Sequence, residues 1–456
     1  MKKNVMLILL AAILSLVSIL IVSCNLGGSN KFINLLGSGS IGSGGGTHNF
    51  PLFFDGQYNS DVEDFNSIVP TSDGGYFAVG RAYDNSVNPP IDDALFVKLD
   101  SNLNVVWSKL GSIGSYASFG FENIENGNIY YYGCGYTSGQ NGYFISKLNS
   151  NGTTNSIRYF QDYITFILPS NGTNPGIIAN INTFIAKFGQ DLSFKWYINN
   201  AYWGDANFIT SDNKTFVYFE DSNNNNNKYL VKINVSDDDV NNVINSAKYY
   251  QINNSSTNFE FLGGLGDYNN NFYFGFLDYN TSPDKYYLIK TDNYLGNKKE
   301  VSVDGSFAVS LVPEPNTNTN NVILLLFDNN SNPNKLYLVK LDGNLTPISN
   351  MSFEVNNYYP GYKAGPLNEQ TIKAIPLSNF FLVPGGYNGN ALVYSFNYNL
   401  QPPCGNLSSS NITLKNTDDI SIDNNPTTLS SGLTSGNLTL NPSDTVTTDY
   451  PLNVID

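Results

Sequence analysis

Between residues 48 and 403 the chain alternates short apolar runs with polar stretches rich in Asn, Asp, Gly and Ser. Apolar runs bounded by turn-forming residues predict β-strands joined by tight turns. One run recurs, always with a Lys near its end: ALFVKLD at 94–100, FISKLN at 144–149, FIAKFG at 184–189, YLVKIN at 229–234, YLIKTD at 287–292 and YLVKLD at 337–342. The lysines are Lys98, Lys147, Lys187, Lys232, Lys290 and Lys340, and ALVYSFN at 391–397 continues the series with Tyr394 in the Lys position. A period of about 40 to 60 residues with several strands per period is the signature of a repeated β unit.

Each unit has the same internal order. In the first, FNSIVP (65–70) precedes the turn SDGG, YFAVGRA (76–82) follows it, ALFVKLD is the third strand and VVWSK (105–109) the fourth. The second unit repeats this order, with Gly80 and Gly133 in corresponding places. Four antiparallel strands in seven copies predict an all-β fold, a seven-bladed β-propeller spanning 48–403, because sheets set around an axis bury faces that one sheet cannot bury alone. The seventh unit ends after its third strand, and NFPLFF (49–54) is expected to supply the missing outer strand and close the ring. A Lys repeated six times is read as structural, its stem packed along a blade and its ammonium reaching solvent or a carboxylate.

Composition supports strands. Tyr (31) and Phe (29) are abundant, and charged residues make up only 13%. The formal charge is −15 with two arginines, Arg81 and Arg158, so the clustered cations that nucleic acid requires are missing. One histidine, His48, leaves no base for Ser-His-Asp or Cys-His chemistry inside a shaped site. No cofactor is indicated. The Asp- and Asn-rich stretches at 236–242 and 221–227 offer hard oxygens for Ca²⁺, without EF-hand spacing, against the plain reading of hairpin tips. Cys134 and Cys404 are open to two readings, a disulfide or buried thiols.

The stretch DGGYFAVGRAYD followed by DALFVKLDSNLNVVWSK resembles the repeats of extracytoplasmic bacterial and archaeal propeller proteins, with Trp107 and Trp196 in the place of the family Trp. The resemblance covers about residues 50–400 and is sharpest in the first unit. It implies a propeller fold and an exported compartment, and no reaction.

The N-terminus agrees on compartment. Lys2 and Lys3 precede an apolar stretch from Val5 to Val22. The run Ile21-Val22-Ser23-Cys24 resembles a bacterial lipobox, which implies a signal peptide over 1–23, lipidation at Cys24 and a membrane partner reached through that lipid. An uncleaved anchor and a plain signal remain alternatives. Residues 24–47 read as a flexible tether, since 25–47 hold eight Gly and four Ser.

From 404 to 456 the composition changes. Ser, Thr and Asn account for 25 of 53 residues, and Tyr450 is the single aromatic. This segment is expected to be a polar, acidic extension, poorly packed, although NITLK, ISID and NLTLN alternate as edge strands would. The expected function is a membrane-tethered binding or cell-envelope scaffold outside the cytoplasm, with loops such as 84–93 facing carbohydrate or an envelope protein. The alternative is a carboxylate-dependent glycan hydrolase or lyase on the same fold.

Overall fold

The structure is a computed structural model. It describes residues 52–455 with breaks, the longest at 200–213 and 361–374, and residues 1–51, with the expected signal peptide, Cys24, the expected tether and His48, lie outside the described residues. The arrangement is an all-β propeller of antiparallel sheets.

Six blades are made of strands consecutive in the chain. Blade 1 holds Val62–Pro70, Tyr76–Asp84, Ile91–Leu99 and Val105–Gly111. Blade 2 holds Tyr116–Glu125, Asn128–Thr137, Gly142–Asn149 and Thr154–Phe160. Blade 3 runs from Ile164–Ser170 to Phe194–Asn199. Blade 4 shows Lys214–Asp221, Asn227–Asn234 and Lys248–Asn254, with the short helix Val240–Ser246 between the last two. Blade 5 runs from Phe259–Gly266 to Lys299–Asp304, and blade 6 from Ala308–Pro313 to Pro347–Glu354.

Four-stranded antiparallel blades fit the expectation, but the expected number of seven is corrected, and the C-terminal segment is not a separate extension. Consecutive strands build six blades, not seven. The remaining sheet is a composite of both ends of the chain: Phe380–Tyr387 and Asn390–Asn397 pair with each other, Leu52–Asp55 adds to the second of them, and Asn453–Ile455 adds outside Leu52–Asp55. Leu52 stands opposite Val393 and Phe54 opposite Ala391, as the closing-strand reading expects. Phe54, Leu382 and Val393 then share one apolar cluster with Phe65, Ala78 and Leu95 of blade 1, which shuts the ring.

Each sheet also gains a strand from far along the chain. The C-terminal segment travels round the rim in reverse order and lends an outer antiparallel strand to every sheet. Leu407–Ser409 pairs with blade 6, Lys415–Asn416 with blade 5, Ile420–Ile422 with blade 4 and Thr434–Gly436 with blade 3. Asn441–Pro442 pairs with blade 2, Thr447–Asp449 with blade 1 and Asn453–Ile455 with the composite sheet. An outer strand exposes a row of unpaired N–H and C=O groups, and this strap covers part of each row. It is packed as well as paired, since Ile420 is fully buried and Leu433 is 4% exposed.

The turn after each third strand explains much of the repeat. In five of these turns a Leu has positive φ: Leu103, Leu192, Leu295, Leu345 and Leu400, while Gly152 takes that place in blade 2. All five leucines are buried. The left-handed backbone costs roughly 1–2 kcal/mol for a residue with a Cβ, and burial of a Leu side chain returns roughly 1.5–3 kcal/mol. The recurring spacing from Asp100 to Leu103, Asp292 to Leu295 and Asp342 to Leu345 is the sequence trace of this device.

These turns also answer the repeated Lys. Lys147 of blade 2 donates to Gln190 O in the blade 3 turn at 2.9 Å and to Glu125 at 2.5 Å. Lys187 of blade 3 donates to Ser236 O and Asp237 O of blade 4 at 2.9 and 3.1 Å. Lys290 reaches Gly343 O of blade 6 at 2.7 Å, and Lys340 reaches Tyr398 O of the composite sheet at 3.0 Å. Trp107 and Trp196 do the same, donating to Ser150 O and Asp237 O of the next blade at 3.0 and 2.9 Å. Lys98 stays within blade 1, on Thr71, Asp73 and Leu99 O. A Cβ on Gly75 would collide with the Leu99 carbonyl and the Lys98 ammonium, and Gly74 has φ +81°, so both glycines of DGGY are required. Of the two expected ends for the ammonium, solvent or a carboxylate, the second is seen: Lys98, Lys147 and Lys187 are buried and pair with Asp73, Glu125 and Asp238.

Candidate functional site at the channel mouth

In blades 1, 2, 3 and 5 the innermost strand carries a β-bulge at a corresponding place, between Phe65 and Ser67, Ala117 and Phe119, Ile164 and Phe166, and Phe261 and Gly263. A bulge bends a strand and re-aims its side chains. The blades are held level there, since Asn66 Nδ2 donates to Ala117 O at 2.7 Å. Two residues before the bulge the corresponding positions hold Asp64, Tyr116, Tyr163 and Glu260. These four therefore occupy matching positions at one end of the central channel, on the side of the loops that join second to third strands.

Around Asp64 the neighbouring strands of blade 1 add an ion pair and an aromatic ring. Asp64 stands opposite Arg81 in the sheet. Arg81 Nε donates to Asp92 Oδ1 at 3.0 Å, and its guanidinium lies over the Tyr83 ring, 4.8 Å from the centroid. Burial pushes the Asp64 carboxyl up to about 6, with the Arg81 charge pulling the other way. Blade 2 carries tyrosines in the corresponding places. Tyr116 and Tyr136 stack at 5.8 Å between centroids, Tyr136 meets Tyr143 edge-on at 5.2 Å, and Tyr143 meets Tyr163 at 5.0 Å. Tyr136, Tyr143 and Tyr163 are half-buried. In blade 5 the Tyr279 hydroxyl donates to Glu260 Oε2 at 2.6 Å. Below Asp64 on the same strand, Asn66 Oδ1 and Ser67 Oγ are buried without a protein partner among the described residues.

Two solved structures are similar to the chain at low identity. A protein of unknown function from Dyadobacter fermentans is 11% identical, with a TM-score of 0.41 over 76% of this chain and 98% of that one. A protein of unknown function from Bacteroides caccae is 10% identical, with a TM-score of 0.31 over 54% of this chain and 91% of that one. No family model and no curated protein matches the chain.

The other residues singled out by sequence fall elsewhere. In the 236–242 stretch, Asp239 caps the helix by accepting from Asn241 N, Asp237 accepts from Asp239 N and Asn242, and Asp238 pairs with Lys187 at 2.8 Å. These carboxylates are employed as caps and ion pairs, and the described residues contain no group of three or more metal-ligating side chains. Residues 222–226 and Cys404 lie outside the described residues, while Cys134 is buried in blade 2. Of the 84–93 loop, Ile91 to Asp93 are strand and 85–90 lie outside the described residues.

Asp64, Arg81 and the tyrosines were not singled out from the sequence as ligand-facing residues, whereas Asp92 belongs to the 84–93 stretch that was. The register corrects the expected match of Gly80 with Gly133: Gly80 corresponds to Gly135, each set against the carbonyl of Asp64 or Tyr116, so blade 2 has Tyr136 where blade 1 has Arg81. The mouth offers carboxylates, a guanidinium and phenols held in place by one another, a set suited to hydrogen-bonding a guest.

Proposed function

We propose that this protein is an exported, lipid-tethered binding or envelope-scaffold protein that presents the channel mouth of blades 1–3 to its ligand. Two neighbouring groups carry this reading, the Asp64, Arg81 and Asp92 group of blade 1 and the series Tyr116, Tyr136, Tyr143 and Tyr163 of blades 2 and 3, which place polar and aromatic side chains at the same end of the propeller. The lipobox-like run ending in Cys24 and the tether supply the means of holding that face away from a membrane. Two measurements test the two parts. Labelling with radioactive palmitate is expected in the intact chain and lost in Cys24→Ala; unchanged labelling removes the lipid. A photo-crosslinking residue at position 83 is expected to capture a partner that the same probe at Val106 on the outer rim does not. Equal capture at both positions contradicts the mouth as the ligand face.

The enzymatic alternative draws on one observation, the carboxyl of Asp64 raised to about 6, the range of a general acid. A glycan hydrolase of this kind releases reducing ends from its substrate, and Asp64→Asn abolishes the release. A binder releases none.

A further inference from the structure

We infer that the channel mouth of blades 1–3 takes a neutral, extended glycan chain, an inference that rests on the mouth being the ligand face. The charges there answer one another. Arg81 is committed to Asp92 at 3.0 Å and faces Asp64 across the sheet, so the site offers planar donors and acceptors with little free charge. Sugar hydroxyls both donate and accept, and such a pair of carboxylates around a guanidinium serves both roles. A polyanion meets two carboxylates against one guanidinium on a chain of formal charge −15. A cation meets an Asp92 already engaged by Arg81.

The shape of the site argues for a chain rather than a single ring. Beside the charged group of blade 1, Tyr116, Tyr136 and Tyr143 run across blade 2 to Tyr163 of blade 3, with ring-to-ring steps of 5.0 to 5.8 Å. Rings packed against one another are already ordered, so contact with them costs little conformational entropy. Deeper in the channel, the unpartnered Asn66 Oδ1 and Ser67 Oγ are places for water or a ligand hydroxyl to complete the hydrogen bonding.

The test is calorimetric titration of the full exported chain with neutral hexasaccharides (cellohexaose, chitohexaose, mannohexaose and maltohexaose), beside hexagalacturonate and spermidine. At least one neutral hexasaccharide is expected to bind, and its monosaccharide to bind at least about tenfold more weakly. Asp92→Asn and Tyr143→Ala are each expected to weaken binding by about tenfold or more, while Tyr294→Ala, in an exposed turn of blade 5, leaves it unchanged. Asp92→Asn keeps shape and volume, so it reads the site even if Tyr143→Ala disturbs folding. Failure of all four neutral sugars to bind overturns the inference, as does binding indifferent to both mouth variants. Binding of hexagalacturonate alone overturns the neutral character of the ligand and binding of spermidine alone overturns the glycan class, and in either case its loss in Asp92→Asn leaves the mouth standing as the ligand face.

Discussion

The blades and the strap that runs round them reach the same kind of pairing by opposite means. A blade is made of hairpins: each strand finds its partner within a few tens of residues, and its apolar side chains are buried on both faces, as in VILLLF of blade 6, where every residue from Val322 to Phe327 is buried. The strap is polar, pairs two or three residues at a time, and meets strands far back in the chain, as when Ile420 joins Asn254. Local hairpins order at low loop-closure cost, and the ring of blades then supplies edges on which a chain too polar to collapse by itself becomes ordered. Strand pairing therefore has two sources here, hydrophobic burial in the blades and template edges at the rim.

Removing the strap breaks this comparison most severely. A chain ending before Leu407 leaves outer edges in all sheets uncovered, and it is expected to unfold at a temperature lower by on the order of 10 °C and to self-associate, read by calorimetry and light scattering. A truncated chain as stable and monomeric as the intact one refutes the strap's role. Within the blades, Lys147→Ala leaves Glu125 buried opposite the Tyr132 hydroxyl without its cation, and is expected to cost about 3–5 kcal/mol in denaturant unfolding. A cost below about 1 kcal/mol would mean that the clamp between blades 2 and 3 is weak.

The junction of blade and strap sharpens the contrast. Glu300, buried on the outer strand of blade 5, accepts from Thr417 Oγ1, Asp419 N and Ile420 N at 2.7, 2.9 and 3.2 Å. Glu300→Gln is expected to cost about 2 kcal/mol and to speed amide exchange in the strap more than in the blade cores. Asp64→Asn acts in the other direction. The folded carboxyl titrates near 6, above its unfolded value near 3.8, so the folded state holds its proton more tightly and this group's contribution to stability grows as pH falls from 7 toward 4. The variant is expected to be more stable than the parent by roughly 1–2 kcal/mol at pH 7, with the gain gone at pH 4. Equal gains at both pH values would place its cause outside the carboxyl.

The period of the Lys-ended strand, its place as third strand and the closing role of Leu52–Asp55 were legible in the sequence, because burial on both faces imposes a dense apolar pattern. The strand that the C-terminal segment adds to each sheet was not. ISID at 420–423 and NITLK at 411–415 alternate as edge strands do, but their polarity offers no core of its own, and what orders them is an edge set far away in the chain. Counting units also misled: the seventh copy, ALVYSFN, belongs to a sheet that takes strands from both ends of the described chain, residues 52–55 and 453–455 as well as its hairpin partner Phe380–Tyr387. At the mouth, single residues such as Asp64 and Tyr143 carry no motif, and only the shared bulge shows that Asp64, Tyr116 and Tyr163 occupy corresponding positions.

Hydrogen exchange with mass spectrometry on the intact chain tests the template-edge account most directly. Peptides covering 415–423 and 447–449 are expected to exchange well below the rate of an unstructured chain, and to lose that protection together with the outer strands Lys299–Asp304 and Val105–Gly111 as denaturant is raised. Exchange through the whole C-terminal segment at the unstructured rate, with the blades still protected, would contradict it.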